Sequence, residues 1–135
     1  MKLIKNCLRA NEARIINRFA PYQRLADMAP LFTGHPDTLA YVSDQYLVDL
    51  LVWYHLAWLG ETVRRSDQRA RRLLDKGGHF TLHDRRELLE LIGELLSGVL
   101  GRYRRLAERG QVELSMTPYA HPIAPLLLDI NAARE

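Results

Sequence analysis

Glu113 and His121 are the residues whose types and positions best suit a role in chemistry. Glu113 lies on the polar side of a short alternating segment, 111–116, whose apolar side chains share the other face of a predicted strand. His121 follows in a Pro-rich turn, just past the end of that strand. In sheet-based barrels this end of a strand faces the ligand, so the pair is a candidate binding site.

Two other histidines, His79 and His83, are four residues apart, a spacing that can hold a metal on one face of a helix. Thr81 lies between them and is the expected N-cap of the following helix, so the two side chains do not share a helical face. No Glu follows His79 in the pattern of zinc proteases. We therefore expect no metal site and no cofactor.

Charged residues form two further rows. The basic row could follow a nucleic-acid backbone, but it has no aromatic stacking platform and the net charge is only +3, which favours a solvated helix face. The acidic row shares a face of a later helix and is interpreted as solvent-facing charge. The members of the two rows are Arg64, Arg65, Arg69, Arg71 and Arg72, and Glu87, Glu90 and Glu94.

His55 lies in the most apolar segment, Tyr46 to Leu59, beside two tryptophans. A hydrogen-bonded core histidine is the favoured interpretation, and a sugar-stacking platform is the alternative. The segment is shorter than the ~20 residues that span a bilayer, so it predicts a buried core helix and no membrane partner.

The candidate residues must be positioned by helices, because helical patterns occupy most of the chain. No proline occurs between residues 37 and 117, where long helices are expected. Ser43 is the expected N-cap of the apolar helix, and Thr81 with Asp84 resembles a capping box. The longest pattern runs from about residue 82 to 109 and predicts one helix roughly 40 Å long, ended by Gly110. The expected fold is mainly α, with one short C-terminal strand.

Composition limits the chain to one modest core and an ordinary globular class. Cys7 is the single cysteine, so no intrachain disulfide forms and a cytoplasmic location is the default expectation. The N-terminus lacks the apolar run of a signal peptide.

The C-terminal quarter resembles glycoside hydrolase family 57, the α-amylase and 4-α-glucanotransferase group. Gly110-Gln111-Val112-Glu113 is similar to the family's second conserved region, and Thr117 to Ile123 is similar to an extension of its bacterial members. Upstream segments resemble the helical part of the same proteins. They are Ala10 to Ile16, Arg18 to Tyr22 and Leu51 to Trp58.

The resemblance implies the helical insertion plus one strand of an incomplete (β/α)7 barrel, with residues 1–109 as the helical domain and 110–135 as the strand, turn and apolar tail. It implies that Glu113 and His121 bind α-glucan in the complete enzyme. The family's initial His-Gln-Pro motif and its catalytic carboxylates have no counterpart in this chain, so no residue is predicted to be catalytic.

Two functions therefore compete. The first is a partial family-57-like protein in carbohydrate metabolism, inactive alone. The second is a stand-alone, non-catalytic helical module. A strand without a sheet needs a partner, which predicts self-association, as a homodimer, through 111–116 and the tail.

Overall fold

The computed structural model describes residues 1–34, 36–115, 128, 129 and 131. In these residues the chain is mainly helical, as predicted, and contains no strand. The α-helices are α1 (Lys2–Cys7), α2 (Ala20–Thr33), α3 (Asp44–Trp58), α4 (Glu61–Ser66), α5 (Gln68–Lys76), α6 (Leu82–Ser97) and α7 (Val99–Glu108). A π-helical turn, Glu12–Ile16, precedes α2, and a 3-10 helix, Pro36–Tyr41, follows it.

The chain divides into two compact units, Met1–Glu94 and Leu95–Glu135. The division predicted between residues 109 and 110 rests on the barrel resemblance and stays a prediction. No helix within the described ranges is long and apolar enough to cross a membrane.

Helix α3 is the centre of the first unit, as its apolar sequence predicts. Its N-cap is Ser43, whose hydroxyl accepts the N–H of Tyr46 at 3.1 Å. Trp53 is 1% exposed, and its ring lies 5.5 Å from Phe19 and 6.5 Å from Phe80, measured between centroids. Helices α1 and α2 pack on α3. Burial of these large side chains supplies the main driving force for folding this unit.

The N-terminal helix is shorter than predicted. The apolar stripe of Leu8, Ile15, Ile16 and Phe19 predicts a single helix from about Leu3 to Phe19, ended by Pro21, whereas α1 ends at Cys7. Pro21 instead lies in the first turn of α2. Proline is favoured there because its missing N–H would have no helical acceptor, so it begins the second helix.

The predicted 40 Å helix is also interrupted. Helix α6 ends at Ser97, and α7 begins at Val99 with Gly98 as its N-cap. Gly110, with φ of 65°, follows α7 in the left-handed conformation expected of a glycine C-cap. The second unit buries none of the α7 side chains, and Leu100 is 81% exposed.

Candidate functional site

The segment that carries Glu113 is not a strand in the described residues. Residues 111–115 have no regular secondary structure, and Val112 and Leu114 are 37% and 56% exposed. The remaining predicted strand residue, Met116, lies outside the described residues. A strand is defined by its ladder of hydrogen bonds to a neighbour, and no neighbouring strand is described in this chain.

Glu113 is exposed, and no hydrogen bond or ion pair joins it to another described residue. His121, the second predicted substrate-binding residue, lies outside the described residues. The structure therefore gives no distance between them, and their role stays a prediction.

The two histidines spaced like metal ligands lie in different elements. His79 is in the loop before α6, where it has a φ of 53°, and His83 is inside α6. The described part of the chain has no group of three or more His, Cys, Asp or Glu side chains that could hold a metal ion.

The basic and acidic rows face each other instead of forming separate solvated faces. Arg69 binds the carboxylate of Glu94 at 2.6 Å and that of Asp67 at 3.0 Å. Arg72 binds Glu87 in the same way and also reaches Asp84 at 2.9 Å. The two rows are therefore paired with each other at these positions, which was not predicted. The interpretation as solvent-facing charge still holds for Arg72 and Glu94, whose side chains are 45% and 62% exposed.

Asp84 is the buried member of this network, at 1% exposed. It completes the predicted capping box, because Oδ2 accepts the N–H of Thr81 at 2.7 Å while the Thr81 hydroxyl accepts the N–H of Asp84 at 3.3 Å. Burial alone would raise its pKa, but hydrogen bonds from Lys76, Thr81 and Arg72 outweigh burial and hold the pKa well below its usual range. Asp84 is consequently a fixed negative charge.

Glu61 is the second carboxylate enclosed by cations. Hydrogen bonds from Arg64, Arg18 and Arg65 lower its pKa to about 2. Arg64 also donates to the carbonyl of Ala57 at 2.9 Å, which ties the end of α3 to the start of α4. This arrangement links helices and is not a ligand site, since the three arginines around Glu61 are all bound to it.

His55 is partly exposed, so its interpretation as a core histidine is wrong. Its ring contacts that of Tyr54 edge-on at 5.2 Å, and no described group hydrogen-bonds to it. Burial lowers its pKa, which favours the neutral imidazole at pH 7. It lies at the rim of a pocket of about 210 Å³ between α3 and α6.

This pocket, called the α3–α6 pocket below, is apolar except for three nitrogen-bearing side chains. Its lining residues are Leu51, Val52 and His55 from α3, and Leu82, Arg85, Arg86, Leu88 and Leu89 from α6. The Nε of Arg85 is buried and has no hydrogen-bond partner in the described residues. No sequence pattern described above predicted this site. The sequence signal that could have indicated it is the position of Arg85. This residue lies three positions before Leu88 and so falls on the stripe of α6 that packs inward.

A wider cleft of about 550 Å³ lies between α2 and the loop that joins α5 to α6. Its charged lining residues are Arg24, Asp49, Asp75 and Lys76, together with His79 of the loop. Lys76 is already bound to Asp84, which leaves Arg24 as the cation without a described carboxylate partner.

One comparison with known proteins identifies the chain. Neither a curated protein nor a solved structure matches it. The family model described as Glycosyl hydrolase family 57 matches residues 10–135, which includes most of the first unit, all of the second unit and Glu113. The chain therefore belongs to glycosyl hydrolase family 57.

Proposed function

We propose that the chain is part of an enzyme that hydrolyses or transfers α-1,4-glucans, and that Glu113 and His121 bind or orient the substrate there. The match to glycosyl hydrolase family 57 over residues 10–135 carries this proposal. The exposure of Glu113, which has no described partner, supports it, because a substrate-binding carboxylate must be able to reach its ligand.

We further propose that the chain has no turnover alone. Retaining hydrolysis needs two carboxyl groups about 5–5.5 Å apart, one of which acts as an acid with a raised pKa. Among the described residues, every carboxyl group with a displaced pKa is displaced downward by bound cations or N–H groups. These are Glu61, Asp67, Asp84 and Glu94. Such groups are poor proton donors at neutral pH.

The segment 111–116 would become a strand when it joins the sheet of the complete barrel. Its alternation of apolar and polar residues supports this assignment, and so does the exposure of Val112 and Leu114, which a neighbouring layer would cover. Glu113 would then lie on the opposite face from these two side chains.

A titration with maltoheptaose tests the proposal. We expect weak, saturable binding by NMR, loss of binding in Glu113→Gln, and no release of reducing ends. Glu108→Gln, at the exposed end of α7, is the matched control and should bind like the parent chain. If no binding were seen at the highest glucan concentration, the substrate assignment would be contradicted. Robust hydrolysis that disappears in Glu113→Gln would contradict the proposal that the chain is inactive by itself.

The second candidate is a non-catalytic module that self-associates through 111–116 and the tail in the cytoplasm. Apolar side chains exposed in the second unit favour it, since Leu100, Leu114 and Leu128 are 81%, 56% and 90% exposed. Light scattering at increasing concentration should show a homodimer that Leu114→Lys weakens. A monomer throughout the concentration range would exclude this candidate.

A further inference from the structure

The α3–α6 pocket has the features of a ligand site that is separate from Glu113. We propose that it binds a small organic anion carrying an apolar ring or a short alkyl chain, with Arg85 and Arg86 holding the anionic group. This inference is independent of the proposed function, because an α-glucan is neutral and offers no charge to these arginines.

The size and lining of the pocket suit the apolar part of such a ligand. Its volume is about 210 Å³, whereas a protein cavity of about 150 Å³ lined by apolar side chains binds benzene. Leu51, Val52 and Leu88 supply apolar walls. Val52 and Leu88 belong to the packed interior, since each is only 2% exposed. A six-membered ring with one substituent therefore fits the available space.

Arg85 supplies the argument for an anion. Its Nε is buried without an acceptor in the described residues, although buried N–H groups in folded proteins are nearly always hydrogen-bonded. A guanidinium has donors only, so the missing partner must be an acceptor. Arg85 also lines the pocket, so a carboxylate bound there would bring an acceptor to this guanidinium and form a charge-assisted hydrogen bond with it.

The charges around the pocket agree with this assignment. Arg69 and Arg72 on α5 are bound to carboxylates of the protein, at 2.6 Å to Glu94 and 2.9 Å to Asp84. Arg85 and Arg86 have no such partner among the described residues. The pocket therefore carries two positive charges that form no ion pair with a carboxylate of the described residues. A ligand carboxylate would complement them.

The test uses the full chain and 4-fluorobenzoate, followed by ¹⁹F NMR. We expect saturable binding with a Kd on the order of millimolar, as for a ligand of about ten heavy atoms. Arg85→Met keeps the length of the side chain and removes its donors, and it should weaken binding about 10- to 100-fold, the effect of losing hydrogen bonds to a charged group. Arg71→Met, the same change at an exposed arginine outside the pocket, should leave binding unchanged.

A second variant and a second probe complete the design. Arg86→Gln changes an exposed side chain, so it retains the fold and should weaken binding at least about threefold by removing one charge. The neutral 4-fluorobenzamide should bind at least about tenfold more weakly than the benzoate. The proposal is overturned if the benzoate does not saturate, if the benzamide binds equally well, or if neither pocket variant differs from Arg71→Met.

Discussion

Asp49, on α3, accepts the backbone N–H of His79 at 2.8 Å, and through this bond one buried carboxylate fixes a loop thirty residues further along the chain. Its second oxygen accepts the N–H of Phe80 at 2.9 Å. His79 has a φ of 53°, which is uncommon for a residue other than glycine. The two hydrogen bonds therefore hold the loop in a conformation that the backbone would not adopt readily.

Asp49→Ala should destabilise the fold strongly. The substitution leaves two backbone N–H groups at a partly buried site without an acceptor, and each such group costs about 1–3 kcal/mol. We expect the free energy of unfolding to fall by about 2–4 kcal/mol in urea denaturation followed by far-UV circular dichroism. Asp75→Ala removes an exposed carboxylate and should change it by less than about 0.5 kcal/mol. Equal effects of the two variants would contradict the role assigned to Asp49.

Because of Asp84, the stability of the fold should depend on pH in the acid range. Because its pKa is lower in the folded chain than its ordinary value of 3.8, its stabilisation is fully present above that value and is lost as the pH falls below it. Asp84→Asn should cost about 1–3 kcal/mol at pH 7, since Lys76 and Arg72 are partly exposed and can be rehydrated. The difference between the parent chain and Asp84→Asn should shrink between about pH 4 and pH 2.

Urea denaturation at a series of pH values measures this difference directly. Asp75→Asn is the matched control and should show no such convergence with the parent chain. A constant difference between Asp84→Asn and the parent from pH 7 to pH 2 would show that the carboxylate charge of Asp84 does not stabilise the fold.

Trp53 and Trp58 should respond very differently to the same substitution. Trp53 is 1% exposed and donates its indole N–H to the carbonyl of Gly77 at 3.0 Å, whereas Trp58 is 56% exposed. Trp53→Phe loses packing volume and this hydrogen bond, so it should destabilise the fold by about 2–3 kcal/mol. Trp58→Phe should cost less than about 0.5 kcal/mol in the same urea titration. A larger loss of stability in Trp58→Phe than in Trp53→Phe would contradict the assignment of Trp53 to the core.

Gly77 is required for its backbone conformation. Its φ is 72°, and a Cβ added there would meet Pro21 at an ordinary distance of 3.6 Å, so Gly77→Ala should cost about 1 kcal/mol from backbone strain alone. Gly60 has a φ of −59° and open space around its Cα, so Gly60→Ala should be neutral or mildly stabilising. Thermal unfolding of both variants distinguishes them, and a loss of stability in Gly60→Ala equal to that in Gly77→Ala would contradict this account.

Local features of the fold could be predicted from the sequence because they depend on residues a few positions apart. Ser43 caps α3, and Thr81 and Asp84 form the capping box of α6. Gly77 ends α5 in the left-handed conformation. The family resemblance likewise came from short motifs, and the match over residues 10–135 confirmed it.

Contacts between helices required the tertiary structure, because sequence spacing does not fix which faces meet. Arg72 and Glu87 were expected on separate solvated faces, yet the packing of α5 against α6 joins them. The placement of α3 beside α6 likewise leaves Arg85 next to an apolar pocket, without an acceptor for its Nε among the described residues. The predicted strand is absent from residues 111–115 for a related reason. Alternation along the segment fixes which side chains share a face, but only a neighbouring strand can supply the hydrogen bonds.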